Sequence, residues 1–576
     1  MTEKNEKLVM FSGKKVTETS APNNGEVHAS ELAKKQRDIG VGEFFARNKH
    51  LLGFDNPRKA LLTTVKEAVD NSIDACEEAH ILPELSVQIV DMGNDRFRVV
   101  VEDNGPGIVK QQIPKIFAKL LYGSKFYSKK QQRGQQGIGI SASVMYGQLT
   151  TGRAAKITSK TDRDKPAQYY ELHINTQQNK PEIIKEELKE WKKDHGTKIE
   201  IDLEGSYQKG MQSVDQYLKQ TAVVNPHVTL LYVNPKAEQF VFPRVTEHFP
   251  KEAKEIRPHP YGVELGVLLD MLHMAEERTV QAFLTTEFSR ISPSVAKEVC
   301  AEARIDPKAK PGKLGRDDAE NLIRAFKTVR IMAPPTDCLS PITAELLEKG
   351  VKKEVNAEFY TSTTRSPGVY KGNPFQVEVA LAYGGAQPKD KTANLMRFAN
   401  RVPLLYQQGA CGITKGVTGT NWKSYGLQQS GSNLPVGPLT IIVHIASVWV
   451  PFTSESKEAI AHYEDIIKEV KLALQETGRA LGSYVKKKHR VGLELKKRGH
   501  IERYIPKLAE AVVAILGEGV SQKEAMETHL IGLLEKTRGE VKDMAFDPGK
   551  NAEYDAEFAS IGRKEKIEDD NDKEQA

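Results

Sequence analysis

The chain is predicted to take an α+β fold, with helices layered on mixed sheets and a separate helical segment in the middle. Three observations carry this. Leu61 to Ala79 spaces its apolar residues at the helical period, Leu85 to Val90 and Phe97 to Glu102 alternate in the period of strands, and residues from about 257 to 335 turn mostly helical. Strands and helices do not alternate strictly, which favours a mixed sheet with helices over a doubly wound one. At 576 residues the chain has room for several domains, roughly three to five at about 100 to 200 residues each.

The elements follow in order. Residues 1–40 are polar and without sustained periodicity, and read as a flexible arm. A mixed region runs over 41–256, with a further helix over Ile113 to Tyr122 and a strand over Lys198 to Leu203. In the helical region, 257–335, Ser292 followed by Pro293 is a helix start and Asp317-Asp318 marks another. Between them lies Lys308 to Arg316, KAKPGKLGR, with four positive residues and no acid, and Pro334-Pro335 closes the region. A second mixed region, 336–505, ends in a long charged helix beginning after Ser456. Residues 506–576 are a helical segment with a charged tail, and no internal repeat is visible.

Composition excludes several classes. With 39% hydrophobic and 28% charged residues, the chain is neither collagen-like, mainly disordered nor a disulfide scaffold. Lys plus Arg number 83 against 77 Asp plus Glu, so the net +6 is too small for this length to imply nucleic acid by itself. Cys76, Cys300, Cys338 and Cys411 have no zinc or redox spacing and read as buried, reduced thiols. The polar start, and a longest apolar stretch (Pro438 to Phe452) that contains His444 and is too short for a bilayer, lead us to expect a soluble cytoplasmic protein without a membrane partner.

Chemistry concentrates in three blocks. In the first, Glu67, Asn71 and Asp74 share one helical face, so two carboxylates and an amide project into one space, as a water-activating and metal-binding face would. An isolated pattern of this kind would usually be a solvated acidic face. In the second, Asp103, Gly105 and Gly107 follow the strand FRVVVE, a turn in which the backbone can approach a flat ligand while the carboxylate accepts from an exocyclic amine. In the third, Gly134, Gln135, Gln136, Gly137, Ile138, Gly139, Ile140 and Ser141 run into a helix whose N-terminus can face phosphate oxygens. No Gly-Lys-Ser/Thr follows and no strand immediately precedes, so neither a P-loop nor a dinucleotide fingerprint fits. The preceding GSKFYSKKQQR, with Ser124 and Lys125, has the polar, basic character of a lid over phosphates.

In this order and spacing the blocks resemble the ATP-binding boxes of the Bergerat-type superfamily of gyrase B, the large heat-shock chaperone, histidine kinases and MutL. HGTKIEI, containing Thr197, sits where that superfamily has its next box. CLSPI (Cys338 to Ile342), RFANRVPLLY (Arg397 to Tyr406), Trp422-Lys-Ser-Tyr425 and SKEAIA (Ser456 to Ala461) resemble the B-subunit family of type IIB DNA topoisomerases, over about residues 41 to 500. The resemblance implies a Bergerat-type ATPase sandwich (41–256), a helix-two-turn-helix insert (257–335) and an α/β transducer with a stalk helix (336–505). It implies that Glu67 polarises the attacking water, Asn71 binds Mg²⁺, Asp103 holds the adenine amine and Lys457 reaches the γ-phosphate of ATP. Lys423 competes for that last role but belongs to the Trp-Lys-Ser-Tyr segment, placed toward DNA. The partners implied are a DNA-cleaving A subunit in an A2B2 heterotetramer, a second copy of the chain through ATP-dependent dimerisation, and duplex DNA, with a nucleoid-associated location. Some relatives carry a further domain after the stalk, for which residues 506–576 are too few.

Two basic clusters are candidates for duplex phosphates: Lys308, Lys310 and Lys313 in the KAKPGKLGR loop, and residues 486–503, including Lys486, Lys487 and Lys488, where eight Lys/Arg face two Glu. Either could equally be solvated surface. The Asp-x-Asp pairs Asp162/Asp164 and Asp570/Asp572 lie in a turn and in the tail, so strand cleavage is expected from another chain. A MutL-like or chaperone-like ATPase clamp and a nucleotide-dependent scaffold without turnover are the alternatives. Glu67 separates the last, since a scaffold needs no carboxylate beside the γ-phosphate.

Overall fold

The computed structural model describes residues 29–36, 39–124, 129–134, 137–454, 456–517 and 520–538. Two short helices, α1 (Ala29–Lys35) and α2 (Val41–Arg47), precede the long helix α3 (Pro57–Glu78). α3 starts where the sequence signals it: Asn56 accepts from the Lys59 N–H and Pro57 occupies the first position. Leu61, Val65, Val69 and Ile73 recur every four residues and are buried against Val87, Ile89, Val99 and Val101 of the sheet beneath.

That sheet has eight strands, β1 (Glu84–Asp91), β2 (Arg96–Glu102), β3 (Ala155–Lys160), β4 (Ala167–Asn175), β5 (Lys180–Lys189), β6 (Gly196–Glu204), β7 (Thr229–Val233) and β8 (Gln239–Phe242). Their order is β5-β4-β3-β6-β2-β1-β7-β8, antiparallel except for β1 beside β7. α4 (Ile113–Ala118), α5 (Gly139–Thr151) and α6 (Val214–Val224) complete the layer around α3. The helix expected over Ile113 to Tyr122 stops at Ala118, and Leu121 takes a positive φ of 59°, which a helix cannot continue through.

α7 (Leu265–Met274), α8 (Val280–Glu287), α9 (Pro293–Glu302) and α10 (Arg316–Thr328) bury Leu272, Phe283, Phe288, Val299, Leu322 and Phe326 in a core of their own. Ser292 Oγ caps α9 by accepting from the Val295 N–H, and Asp318 accepts from the Gly315 N–H at the start of α10. The loop between α9 and α10 leaves Lys308, Lys310 and Lys313 exposed.

The second sheet comprises β9 (Phe359–Thr364), β10 (Gly368–Tyr370), β11 (Asn373–Tyr383), β12 (Asn394–Ala399), β13 (Val402–Pro403) and β14 (Leu439–Ser447). α11 (Ala344–Glu354) and α12 (Gly412–Thr418) flank it, and the fully buried β14 lies at its centre, between β11 and the parallel β12. α13 (Glu464–Leu516) buries Ile466, Val470, Leu474 and Leu481 against the sheet and then runs on past it, followed by α14 (Val520–Arg538). α13 runs across the 505/506 division without interruption, and Pro506 lies inside the helix. A proline there forfeits one backbone hydrogen bond, which the long helix on both sides outweighs. The start of α1 falls within the expected arm, and the acidic end of the chain lies outside the described residues.

Candidate active site between the first sheet and the loop before the long helix

A cavity of about 310 Å³ opens between α3, the N-terminus of α5, strands β2 and β6, and the loop leading to α13. Glu67, Asn71, Ser72, Asp103, Gly107, Ser124, Gly134, Gly137, Ile138, Gly139, Ile140, Thr197 and Lys457 line it. Five segments far apart in sequence therefore converge on one volume. Val101, Ile108, Ile116, Phe117 and Ile199 supply apolar walls, suited to the faces of a flat ring.

Asp103 is held rigidly at the ring end. One carboxylate oxygen accepts from the Gly105 and Thr197 N–H groups, each at 2.9 Å, and the other accepts from Ser72 Oγ at 2.9 Å. Burial raises its carboxyl above the ordinary value, and these three donors only partly offset that. The turn after it needs Gly107: φ is +73° and a Cβ would stand 2.0 Å from the Lys160 carbonyl oxygen.

At the other end, Glu67 points at the first turn of α5, where free N–H groups and the positive end of the helix dipole lie. Gly139 permits this, because a Cβ there would stand 1.7 Å from Glu67 Oε2. Lys457 enters from the opposite domain with a positive φ of 53°, and its buried ammonium donates to the Arg133 carbonyl at 3.3 Å. The loop around it is clamped to α3 by a buried ion pair of Glu458 with Lys59 and by Lys66 Nζ donating to the Ser456 carbonyl at 3.4 Å.

Three expected ligands stand elsewhere. Asp74 is on the same face as Glu67 and Asn71 but one turn further along, where Arg133 takes it at 2.6 Å, so it is not part of the cavity wall. Ser141 turns its Oγ back to the Ile138 carbonyl at 2.9 Å. Gly105 serves the site through its N–H to Asp103 rather than by lining the cavity. Lys125, Gln135 and Gln136 lie outside the described residues.

Arg133, the last residue of GSKFYSKKQQR, opens a second polar network. Buried, it pairs with Asp74 and, through its other nitrogen, with Glu77 at 2.7 Å. Glu77 also meets His227 at 2.8 Å and Arg401 at 3.3 Å. Burial works to raise the Glu77 carboxyl, but Arg133, Arg401 and the His227 hydrogen bond hold it well below the ordinary value. Asn400 and Arg401, with φ of 47° and 63°, form the tight turn between β12 and β13, and Asn400 Nδ2 donates to the Gln132 carbonyl at 2.8 Å. The Arg401 N–H donates to His444 Nε2 at 2.9 Å, and the other ring nitrogen of His444 meets the Glu378 carboxylate at 2.8 Å in the core of the second sheet. A continuous polar path thus joins α3 to the second sheet.

Of the basic candidates, Lys423 is exposed beside the buried Trp422, while Tyr425 packs on Gly478 and Gly482 of α13. That segment therefore anchors the long helix as well as presenting a lysine. Lys488 pairs with Glu358, which fastens α13 to the second sheet, and Lys486 is exposed. Lys487 is part-exposed.

Residues 56–205 match the family model of histidine kinase-, DNA gyrase B- and HSP90-like ATPases, and residues 334–497 match that of the topoisomerase VI B subunit transducer. The B subunit of type 2 DNA topoisomerase 6 from Methanosarcina barkeri is 51% identical over 507 residues, which cover 88% of this chain and 82% of that protein. This chain belongs to the family of type 2 DNA topoisomerase 6 B subunits. The Archaeoglobus fulgidus member is 47% identical over 88% of this chain and 84% of its own length, and the Pyrococcus furiosus member 36% identical over 88% and 96%. As a member of this family the chain is an ATP-binding and ATP-hydrolysing topoisomerase subunit with a Bergerat-type ATPase domain and a transducer. No helix among the described residues is long and apolar enough to cross a membrane.

Proposed function

We propose that this subunit is an ATP-operated gate on duplex DNA, in which the cavity holds ATP between the ATPase domain and the transducer. Asp103 accepts from the adenine amine, the first turn of α5 and Lys457 receive the phosphates, and Glu67 takes the proton of the attacking water. The observation that carries this reading is the shared cavity: Glu67 comes from the first sheet's helix layer and Lys457 from the second domain, so both must be in place for the site to be complete. Phosphate loss removes the group toward which Lys457 reaches, and the polar path through Arg133, Glu77 and Arg401 gives α3 and the second sheet a common set of buried charges to rearrange.

A Mg²⁺ ion fits the residues present, because that ion takes few protein ligands and completes its shell with phosphate oxygens and water. The exposed Asn71 on the cavity wall is the side chain that would hold it, and the ion would neutralise charge on the phosphates. Among the described residues no group of three or more His, Cys, Asp or Glu forms a metal cluster. Cleavage belongs to a separate A subunit, the assembly holds two copies of each, and the helical insert α7–α10 and the basic part of α13 face the duplex.

The test is sedimentation of the purified chain with and without a non-hydrolysable ATP analogue, beside Lys457→Met. The wild type doubles its mass with the analogue and the variant does not. Unchanged mass in the wild type would remove the gate.

A further inference from the structure

A further cationic side chain, Lys66, borders this cavity. It lines the same volume as Glu67 and Lys457, and it is buried, 9% exposed. An ammonium carries three donors, yet among the described residues Lys66 makes one hydrogen bond, the long 3.4 Å contact to the Ser456 carbonyl, and no ion pair. Lys457 is in the same position, with a single carbonyl acceptor at 3.3 Å and no ion pair among the described residues. Two buried ammonium groups with unused donors therefore border one volume.

Of the nearby carboxylates, Asp70 and Glu458 are committed to other partners, and Glu67 stays in the cavity without an ion pair to Lys66 among the described residues. Asp70 accepts from the Tyr217 hydroxyl at 2.8 Å, and burial pushes its carboxyl up to about 6. Glu458 is paired with Lys59, and Glu67 faces the start of α5. A buried cation without a counter-charge is costly, and an anion that enters the cavity relieves both lysines together. Burial lowers the proton affinity of Lys66 and the neighbouring Lys457 lowers it further, while Glu67, Asp70 and Glu458 act the other way.

We infer that Lys66 is a second cationic ligand for the terminal phosphate of the nucleotide, donating from α3 while Lys457 donates from the transducer loop. It is thereby a determinant of triphosphate over diphosphate. The inference rests on the reading of this cavity as the ATP site.

The experiment compares affinity for a non-hydrolysable ATP analogue with affinity for ADP, both with Mg²⁺, in the full-length wild type, Lys66→Met, Lys66→Arg, Lys457→Met and the double variant. Loss of a charge-assisted hydrogen bond should cut the triphosphate preference of Lys66→Met by about tenfold or more, and Lys66→Arg should keep most of it. Lys66→Met should cut the preference again when added to Lys457→Met. A preference unchanged in Lys66→Met overturns the inference, and so does the absence of any further loss in the double variant, since Lys66 would then act only by holding the loop through Ser456. Thermal melting with ADP checks folding, and Lys66→Gln carries the same comparison should Lys66→Met melt below the assay temperature. Absence of adenine-nucleotide binding in the wild type would instead refute the cavity reading itself.

Discussion

Replacing Asp103 with Asn separates binding from stability in a way the structure makes quantitative. The carboxylate already accepts three hydrogen bonds, two on one oxygen and one on the other, and is proposed to take a fourth from the adenine amine. In Asp103→Asn the amide oxygen can keep the Gly105 and Thr197 N–H groups. The amide nitrogen then faces Ser72 and the adenine amine, and can accept from neither. Loss of one charge-assisted hydrogen bond is worth about 1.5–3 kcal/mol, so adenine-nucleotide affinity should fall roughly 10- to 150-fold. Stability should not fall with it. Because burial raises the Asp103 carboxyl in the folded state, the folded chain binds more protons than the unfolded one in that window, and this group's contribution falls as pH rises through it. Removing the charge should therefore leave the melting temperature equal or higher at neutral pH. Calorimetric titration with ADP and a melting curve on one sample measure both quantities. Unaltered affinity, or a lost fold with proportionally lost binding, would refute the assignment of Asp103 to the base.

Gly139→Ala should retain ADP binding while hydrolysis drops at least about tenfold, since the added methyl displaces the Glu67 carboxylate; steady-state ATPase assays check it. Arg133→Leu leaves Asp74 and Glu77 without their shared partner and should cost about 3–5 kcal/mol in urea unfolding. The depressed Glu77 carboxyl contributes stability that is present above the ordinary carboxylate range and is lost as pH falls below it, so wild-type stability should decline from about pH 5 downward and Glu77→Gln should flatten that decline in pH-dependent melting. Charge reversal at Lys308, Lys310 and Lys313 should weaken duplex binding and flatten the slope of log affinity against log salt by about 0.9 for each phosphate no longer neutralised, with DNA-free hydrolysis unchanged.

What the sequence made legible were features with a local signature. α3, β1 and β2 carry the helical and alternating periods in their own residues, and Gly107 and Gly139 mark backbone that must turn or approach closely. Asp74 shows the limit: helical spacing placed it with Glu67, but which turn faces the cavity depends on Arg133, 59 residues away and without any periodic mark. Lys66 and Glu458 were missed for the same reason, since a lysine in a helix and a glutamate in a loop look like solvated surface until a second domain covers them. The one local hint was position, Lys66 next to Glu67 and Glu458 next to Lys457. The helical period likewise carried α13 forward without showing that Pro506 would sit inside it, because sequence spacing does not reveal how much packing supports each side of a proline.

We propose that hydrolysis in this subunit turns on Glu67 acting as the base in the cavity it shares with Lys457, and Glu67→Gln is the sharpest test of that role. Nucleotide affinity and single-turnover hydrolysis are measured on the same preparation, with added A subunit and duplex DNA as a second condition. General-base assistance contributes about 10²- to 10⁴-fold, so hydrolysis should fall by that order in both conditions while affinity for the ATP analogue stays within a few-fold of wild type. Hydrolysis at the wild-type rate in the folded, nucleotide-binding variant would contradict the role given to Glu67.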